Sequence, residues 1–242
     1  MKAKLLPVAI LSGGLATRLR PLTGTIPKAL VEVQGEPFVS HQLRLLERRG
    51  IERVVICAGY LGEMIRDFVG NGDSFGVEVE FVFDGDRLLG TGGAIRKALP
   101  RLGDSFFVLY GDSYLTCDYA AVQASFRESA KLALMTVFFN NGQWDTSNVE
   151  FIDGKILDYD KKKLTPRMRY IDYGLGVFQA SAFEPIPDGE PYDLYELYKL
   201  LLLKGDLAAF EVGERFYEVG SLGGIEELSR YLEQSVELID KH

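Results

Sequence analysis

Leu5-Leu6-Pro7-Val8-Ala9-Ile10-Leu11-Ser12-Gly13-Gly14-Leu15-Ala16-Thr17-Arg18-Leu19-Arg20-Pro21-Leu22-Thr23, with Pro27-Lys28-Ala29-Leu30 just beyond it, is the stretch that decides the fold class. The apolar run 5–11 reads as a buried strand, and the paired glycines after it make a turn at that strand's carboxyl end. Bare backbone N–H groups at such a turn attract anions, which settle at that edge of open α/β sheets. Arg18, Arg20 and Lys28 add three cations within eleven positions. Paired glycines by themselves also make ordinary tight turns. Joined to clustered guanidinium and ammonium groups and two prolines, they point to a polyphosphate ligand.

Working outward, strands are expected over 53–58, 77–83 and 106–110, alternating with helices over 37–49, 62–69 and 92–99. Pro37 suits a first helical position, Phe38, Leu45 and Leu46 recur at helical spacing, and Gly50 closes the helix. Strand–helix alternation implies a mainly parallel sheet with right-handed crossovers. The second half changes character. Strands over 133–139, 148–152, 156–159 and 170–178 follow one another closely, with Asp153-Gly154 as a hairpin turn. Helices over 193–203 and 222–238 close the chain, the former with Leu194, Leu197, Tyr198 and Leu201 on one apolar face. One α/β domain over 1–242 is expected, an αβα sandwich around a mixed, mainly parallel sheet.

Composition narrows the chemistry. The 242 residues are 47% hydrophobic and 26% charged, with a net charge of −8, so neither nucleic acid nor an anionic membrane is expected as a partner. The basic residues near the N-terminus are therefore a local patch on an acidic protein. Cys57 and Cys117 read as buried free thiols in a reducing compartment. No apolar run reaches membrane-spanning length and no signal-peptide pattern opens the chain, which gives the cytoplasm as the expected location. The two histidines, His41 and His242, lack partners for a zinc site or a catalytic triad.

Further residues carry chemistry. Asp112 follows the run 106–111 and faces the same edge as the first glycine turn, where it can cap a turn or hold Mg²⁺ beside phosphate oxygens. Leu89-Gly90-Thr91-Gly92-Gly93-Ala94 is a second glycine-rich turn entering a helix, open to a flat ring or a phosphate. Phe216-Tyr217-Glu218-Val219-Gly220-Ser221 ends a short strand and offers Glu218 as a second metal carboxylate. Asp160-Lys161-Lys162-Lys163 reads as a charged turn. Asp172, inside an apolar-aromatic strand, needs hydrogen-bond partners that a sugar's hydroxyls would supply.

With these motifs in order, GGLATRLRPLT…PKAL, LGTGGAI, YGDS and FYEVGS, the chain resembles the sugar-1-phosphate nucleotidylyltransferases over nearly its whole length. The resemblance implies a Rossmann-like fold with a nucleotide-binding half over 1–116 and a sugar-binding half over 117–242, and no C-terminal β-helix. It implies Leu11, Gly13, Gly14, Thr17 and Arg18 at the nucleotide, Gly92 and Gly93 against its base, and Asp112 and Glu218 on Mg²⁺. Arg18, Lys28 and Asp112 would be the catalytic residues, while Asn148, Lys161 and Asp172 would face the sugar phosphate. The implied reaction joins an NTP to a sugar 1-phosphate, with a homodimer as the family-level expectation. The branch resembled includes mannose- and heptose-1-phosphate guanylyltransferases and N-acetylmuramate-1-phosphate uridylyltransferases; the lean is to GTP, with the uridylyl reaction or a non-catalytic nucleotide-sugar binder as alternatives. Ala16 replaces a usual glycine, Glu218 a usual aspartate, Asp160-Lys161-Lys162 a usual Glu-Lys-Pro, and Asp172 a common asparagine. Asp112-Ser113-Tyr114 lacks the Asp-x-Asp of a GT-A glycosyltransferase, and Gly13-Gly14-Leu15-Ala16 lacks the Gly-x-Gly-x-x-Gly of a dinucleotide oxidoreductase.

Overall fold

A computed structural model describes residues 4–14 and 25–239, so Thr17, Arg18 and Arg20 lie outside the described residues. The first half runs β1 (Val8–Ser12), β2 (Glu32–Val33), β3 (Glu36–Pro37), α1 (Phe38–Arg48), β4 (Arg53–Ala58), α2 (Gly62–Val69), β5 (Glu78–Phe83), α3 (Gly90–Leu102) and β6 (Ser105–Tyr110). Then come β7 (Ser113–Leu115), α4 (Tyr119–Ser129), β8 (Ala133–Phe139), β9 (Val149–Ile152), β10 (Lys155–Tyr159) and β11 (Tyr170–Gln179). The chain continues through α5 (Leu194–Lys204), β12 (Leu207–Val212), β13 (Phe216–Glu218) and α6 (Leu222–Ile239).

Among the described residues nine strands form one sheet, with the order β10-β9-β11-β6-β1-β4-β5 and with β8 and β12 extending from β11. Strands β6, β1, β4 and β5 are parallel neighbours, whereas β11 runs antiparallel to β6. The period-two alternation of each strand divides the core between two faces. Val8, Ile10, Val54, Ile56, Phe107 and Leu109 pack beneath α1, α2 and α4. Ala9, Val55, Cys57, Phe106 and Val108 face α3 and α5 instead. Helix α6 closes a third cluster with Val33, Phe38, Leu45, Tyr114 and Val219.

The αβα expectation holds, with differences at particular elements. The first strand starts at Val8 rather than residue 5, and α3 takes in Gly90 to Gly93, which were expected partly as a turn ahead of the helix. Pro37 stands just before α1 rather than at its first position. Helix α4 was not anticipated; Asp118 caps it by accepting from the N–H groups of Ala120 and Ala121. Strands β7 and β12 were also missed. Asp153 and Gly154 do form the β9–β10 turn, both at positive φ.

The join between β1 and β6 leaves no room at Gly111, where a Cβ would stand 2.7 Å from the Leu11 carbonyl oxygen and against the Ser12 hydroxyl. Gly111→Ala should therefore push the end of β6 off β1 and cost about 1–3 kcal/mol. Chemical denaturation measures the loss, and wild-type stability in the variant would show that the strand ends have slack there.

Candidate active site

Four parallel strands end on one edge, and each deposits a different group there. Beyond β1 come Gly13 and Gly14, beyond β4 Gly59, beyond β5 Asp84, and beyond β6 Gly111 and Asp112. A cleft of about 500 Å³ opens over this edge, lined by Leu11, Gly13, Gly14, Lys28, Asp84, Gly90, Thr91, Ala94, Tyr110 and Asp112 among others. A second cleft of about 340 Å³ lies on the β11 side and holds Asp145, Asn148, Lys161, Asp172 and Glu218. Tyr110 and Asp112 line both.

Asp112 is held by its backbone from two sides. Gln42, buried on α1, donates its Nε2 to the carbonyls of Tyr110 (3.1 Å) and Ser113 (2.8 Å), bracketing the Gly111-Asp112 turn. The Asp112 carbonyl accepts from the Val219 N–H at 2.9 Å, continuing the antiparallel β7–β13 pair in which Glu218 stands opposite Ser113. Two carboxylate-bearing residues thus meet on adjacent backbones. The Asp112 carboxylate pairs with Lys28 Nζ at 2.8 Å, both side chains being partly exposed. A pair of this exposure contributes no more than about 1 kcal/mol, so an arriving anion or cation can separate it cheaply. Glu218 accepts from the Gly220 N–H at 2.5 Å and the Ser221 hydroxyl at 3.0 Å, so it is an anchored group rather than a freely solvated one.

These donors fit a Mg²⁺ ion. Both are hard carboxylates, brought onto adjacent backbones by the β7–β13 pair. Mg²⁺ suits such a site because it keeps several positions for water and substrate phosphate.

Asp172 departs from expectation in its partners. It accepts from Tyr159 Oη at 3.0 Å and from the Gly174 N–H at 3.1 Å, and its own N–H donates to Asn148 Oδ1. The chain therefore supplies the hydrogen bonds that were expected from a sugar. A bulge in β11 between Asp172 and Gly176, with Gly174 at φ +98°, makes this arrangement accessible. Burial, and next the Asp172 charge, push the Tyr159 phenol far above its usual range, so it stays a donor. Lys161 reaches within 4.0 Å of Asp172 and lies over the rings of Tyr110 and Tyr159.

The turn before Lys161 explains one sequence departure. Asp160 accepts from the N–H groups of Lys162 and Lys163, and Lys199 of α5 donates to it at 2.7 Å. A proline at position 162 would lack the first of these donors. The Lys199 ammonium, then those two N–H groups, hold Asp160 well below the usual carboxylate range.

Gly92 and Gly93 are not part of the cleft wall. Their N–H groups donate to the Tyr192 carbonyl, and a Cβ on Gly93 would meet the Glu190 carbonyl oxygen at 2.6 Å. Helical periodicity turns Gly90, Thr91 and Ala94 toward the cleft instead. Two residues that shape the site escaped the sequence reading, Gln42 and Asp84. Asp84 carries the same signal as Asp112, an acidic residue beside a glycine directly after a strand. Burial raises its carboxyl pKa, opposed by the Leu89 N–H and by Lys97. Cys57 lines the same cleft, with its thiol pushed up to about 12 by burial and by Asp84.

A family model described as nucleotidyl transferase matches residues 8–230. The chain is 31% identical over 208 residues to an N-acetylmuramate alpha-1-phosphate uridylyltransferase of Caulobacter vibrioides, covering 81% of this chain and 84% of that one. It is 29% identical over 200 residues to a mannose-1-phosphate guanylyltransferase of Mycobacterium tuberculosis, covering 81% of this chain and 55% of that one. The chain spans about half the length of several of the curated relatives it matches. In structure it is similar to a putative glucose-1-phosphate thymidylyltransferase from Bacillus anthracis, with a TM-score of 0.82 at 21% identity over 93% of this chain and 94% of that one. That likeness is one of fold. No helix among the described residues is long and apolar enough to cross a membrane.

The Asp160–Lys199 pair has a definite pH signature. Its carboxylate pKa is lower in the folded chain, so its contribution is full above the unfolded carboxylate value of about 3.9 and is lost as pH falls toward the folded value. Lys199→Met should be less stable than wild type at pH 7 and pH 5, with the gap closing below about pH 4. Denaturation midpoints at these pH values check it; a gap that stays constant into acid would show that the pair contributes nothing.

Proposed function

The chain belongs to the nucleotidyl transferase family, and we propose that it transfers a nucleotidyl group from an NTP to a sugar 1-phosphate, releasing pyrophosphate. The observation that carries this reading is the pair of clefts that share Tyr110 and Asp112. One is roofed by glycine turns suited to a nucleotide; the other holds the polar groups suited to a sugar phosphate.

In the reaction a phosphate oxygen of the sugar 1-phosphate bonds to the α-phosphorus of the NTP. The bond from that phosphorus to the oxygen bridging to the β-phosphate breaks, and pyrophosphate leaves. The nucleophile is already an anion, so no protein base is needed, in keeping with a site built without histidine. The chain's task is to hold two mutually repelling anions in line and to neutralise charge gathering at the α-phosphate. Lys28, released from Asp112, serves the α-phosphate, and Arg18 serves the departing pyrophosphate. Leu11, Gly13, Gly14 and Thr17 support the nucleotide, with Gly92 and Gly93 shaping its pocket through the turn they stabilise. Lys161 takes the sugar's phosphate, while Asn148 and Asp172 form the wall against its ring. Asp112 and Glu218 would hold Mg²⁺, which supplies Lewis-acid neutralisation of the phosphates.

The relatives act on different bases and sugars by name. The sugar-side cleft is lined by Asp145, Thr146, Asn148 and Lys161 beside the carboxylates Asp112 and Glu218 assigned to the metal. The first reading is GTP with a mannose- or heptose-type 1-phosphate; uridylyl transfer to an N-acetylated sugar 1-phosphate such as N-acetylmuramate 1-phosphate is the alternative.

Pyrophosphate release from four NTPs crossed with a panel of sugar 1-phosphates should yield turnover for at least one pair. Asp112→Asn and Lys28→Met should each lower that turnover by roughly 10²–10³-fold with the fold unchanged by circular dichroism. Near-wild-type turnover in Asp112→Asn would overturn the assignment.

A further inference from the structure

Two walls of the sugar-side cleft are joined beside it by one stack of side chains. On one wall the β8–β9 connection contributes Asp145, Thr146 and Asn148; on the other, β13 contributes Phe216 and Glu218. The residues just ahead of each wall, Trp144 and Arg215, meet directly. The Arg215 guanidinium carbon stands 3.4 Å from the centroid of the Trp144 ring, which is stacking contact. Trp144 is half-exposed and is the chain's single tryptophan.

The stack continues into the body of the protein. Period-two alternation along β13 turns Phe216 and Glu218 into the cleft and leaves Tyr217 on the opposite side. There the Arg215 guanidinium also lies over Tyr217 at 4.9 Å, and Tyr217 stacks on Tyr231 of α6 at 4.5 Å. Glu227, also of α6, pairs with Arg215. Arg215 Nε is buried with no hydrogen-bond partner among the described residues, so ring faces and the Glu227 carboxylate retain the guanidinium. A planar guanidinium can lie against two rings and still keep an edge for a carboxylate, which a hydrated ammonium cannot.

The loop that carries Trp144 is tied together internally. Buried Asn140 donates from Nδ2 to the Asp145 carbonyl at 2.6 Å and to the Ser147 hydroxyl at 3.0 Å, and its Oδ1 accepts from the Trp144 N–H at 3.2 Å. Trp144 and Asp145 are thus fixed to one side chain, so the place where Trp144 rests is passed on to Asp145. The Asp145 carboxylate accepts from the neighbouring Thr146 N–H and keeps further acceptor capacity for a ligand. The ends of the loop are tied to the start of β11, through the Arg169 and Tyr170 carbonyls. Its tip meets the β13 side through Trp144. We propose that Trp144 and Arg215 are positioning residues: their stack clasps the loop to β13 and sets the width of the cleft that receives the sugar 1-phosphate. The inference rests on the nucleotidyl-transfer reading and gives a role to two residues that line neither cleft.

Tryptophan fluorescence of the free chain and steady-state kinetics test it together. Arg215→Met should move the Trp144 emission to longer wavelength and raise its quenching by acrylamide, as the ring loses its cover. With an NTP and sugar 1-phosphate pair that releases pyrophosphate, Arg215→Met should raise KM for the sugar 1-phosphate roughly 5- to 30-fold, with kcat and the KM for the NTP near wild type. An unchanged NTP KM in the same variant excludes misfolding. Trp144→Ala should behave alike, Trp144→Phe, which keeps a ring face, should recover most of the loss, and the double variant Trp144→Ala/Arg215→Met should be no worse than either single one. If emission and quenching stay at wild-type values, both KM values rise together, or the two single effects multiply in the double variant, the clasp is wrong and nucleotidyl transfer stands. If no pair yields pyrophosphate with the wild-type chain, the transfer reading itself fails, and this inference with it.

Discussion

Parallel pairing forces β6, β1, β4 and β5 to end on the same edge of the sheet. Every feature of the site follows from that constraint. A parallel ladder leaves the groups beyond its carboxyl ends without strand partners, so the residue after each strand meets whatever lies over the edge. Here those residues are glycines, where backbone must approach a ligand, and aspartates, where charge must be placed. The antiparallel β11 then bends away through its bulge and opens a second cleft beside the first. Tyr110 and Asp112, at the seam of parallel and antiparallel pairing, belong to both clefts.

Electrostatics at that seam are arranged for exchange rather than for stability. Lys28 and Asp112 satisfy each other at modest energetic value, so each is available to a substrate or a cation at small cost. The surrounding backbone is much less negotiable. Gln42 clamps the turn from below, Val219 clamps it from the side, and Gly111 leaves no space for movement toward β1. Mobile charges on a fixed backbone are what in-line transfer between two anions requires. The sugar side follows the same pattern, with Asp172 already satisfied by Tyr159 and Gly174 and Lys161 left half exposed over two tyrosine rings.

Much of this was legible in the sequence, and the failures have physical causes. The strand-then-glycine pattern at 5–14 and the strand-then-aspartate pattern at 106–112 specify local geometry, so the edge and Asp112 could be placed from them. Helix α4 was hidden because Ala120, Ala121 and Ala124 dilute the stripe formed by Tyr119, Val122 and Phe126. Strands β7 and β12 are short or weakly alternating, and their partners are distant in sequence. The orientation of Gly92 and Gly93 depends on the chain at 190–192, nearly a hundred residues on, and no local signal reports it. Asp84 was overlooked despite a legible signal, because no motif drew attention to it. Gln42 reads as an ordinary polar residue on α1 until β6 and β7 are placed beneath it.

If the transfer reading holds, the two clefts meeting at Asp112 hold the two halves of one product. A crystal structure of the chain with its nucleotide sugar tests that claim most directly. The base should lie in the cleft beside Asp84, the diphosphate between Lys28 and Asp112, and the sugar against Asn148 and Asp172. A product lying wholly within one cleft, or with its diphosphate away from Asp112, would contradict it.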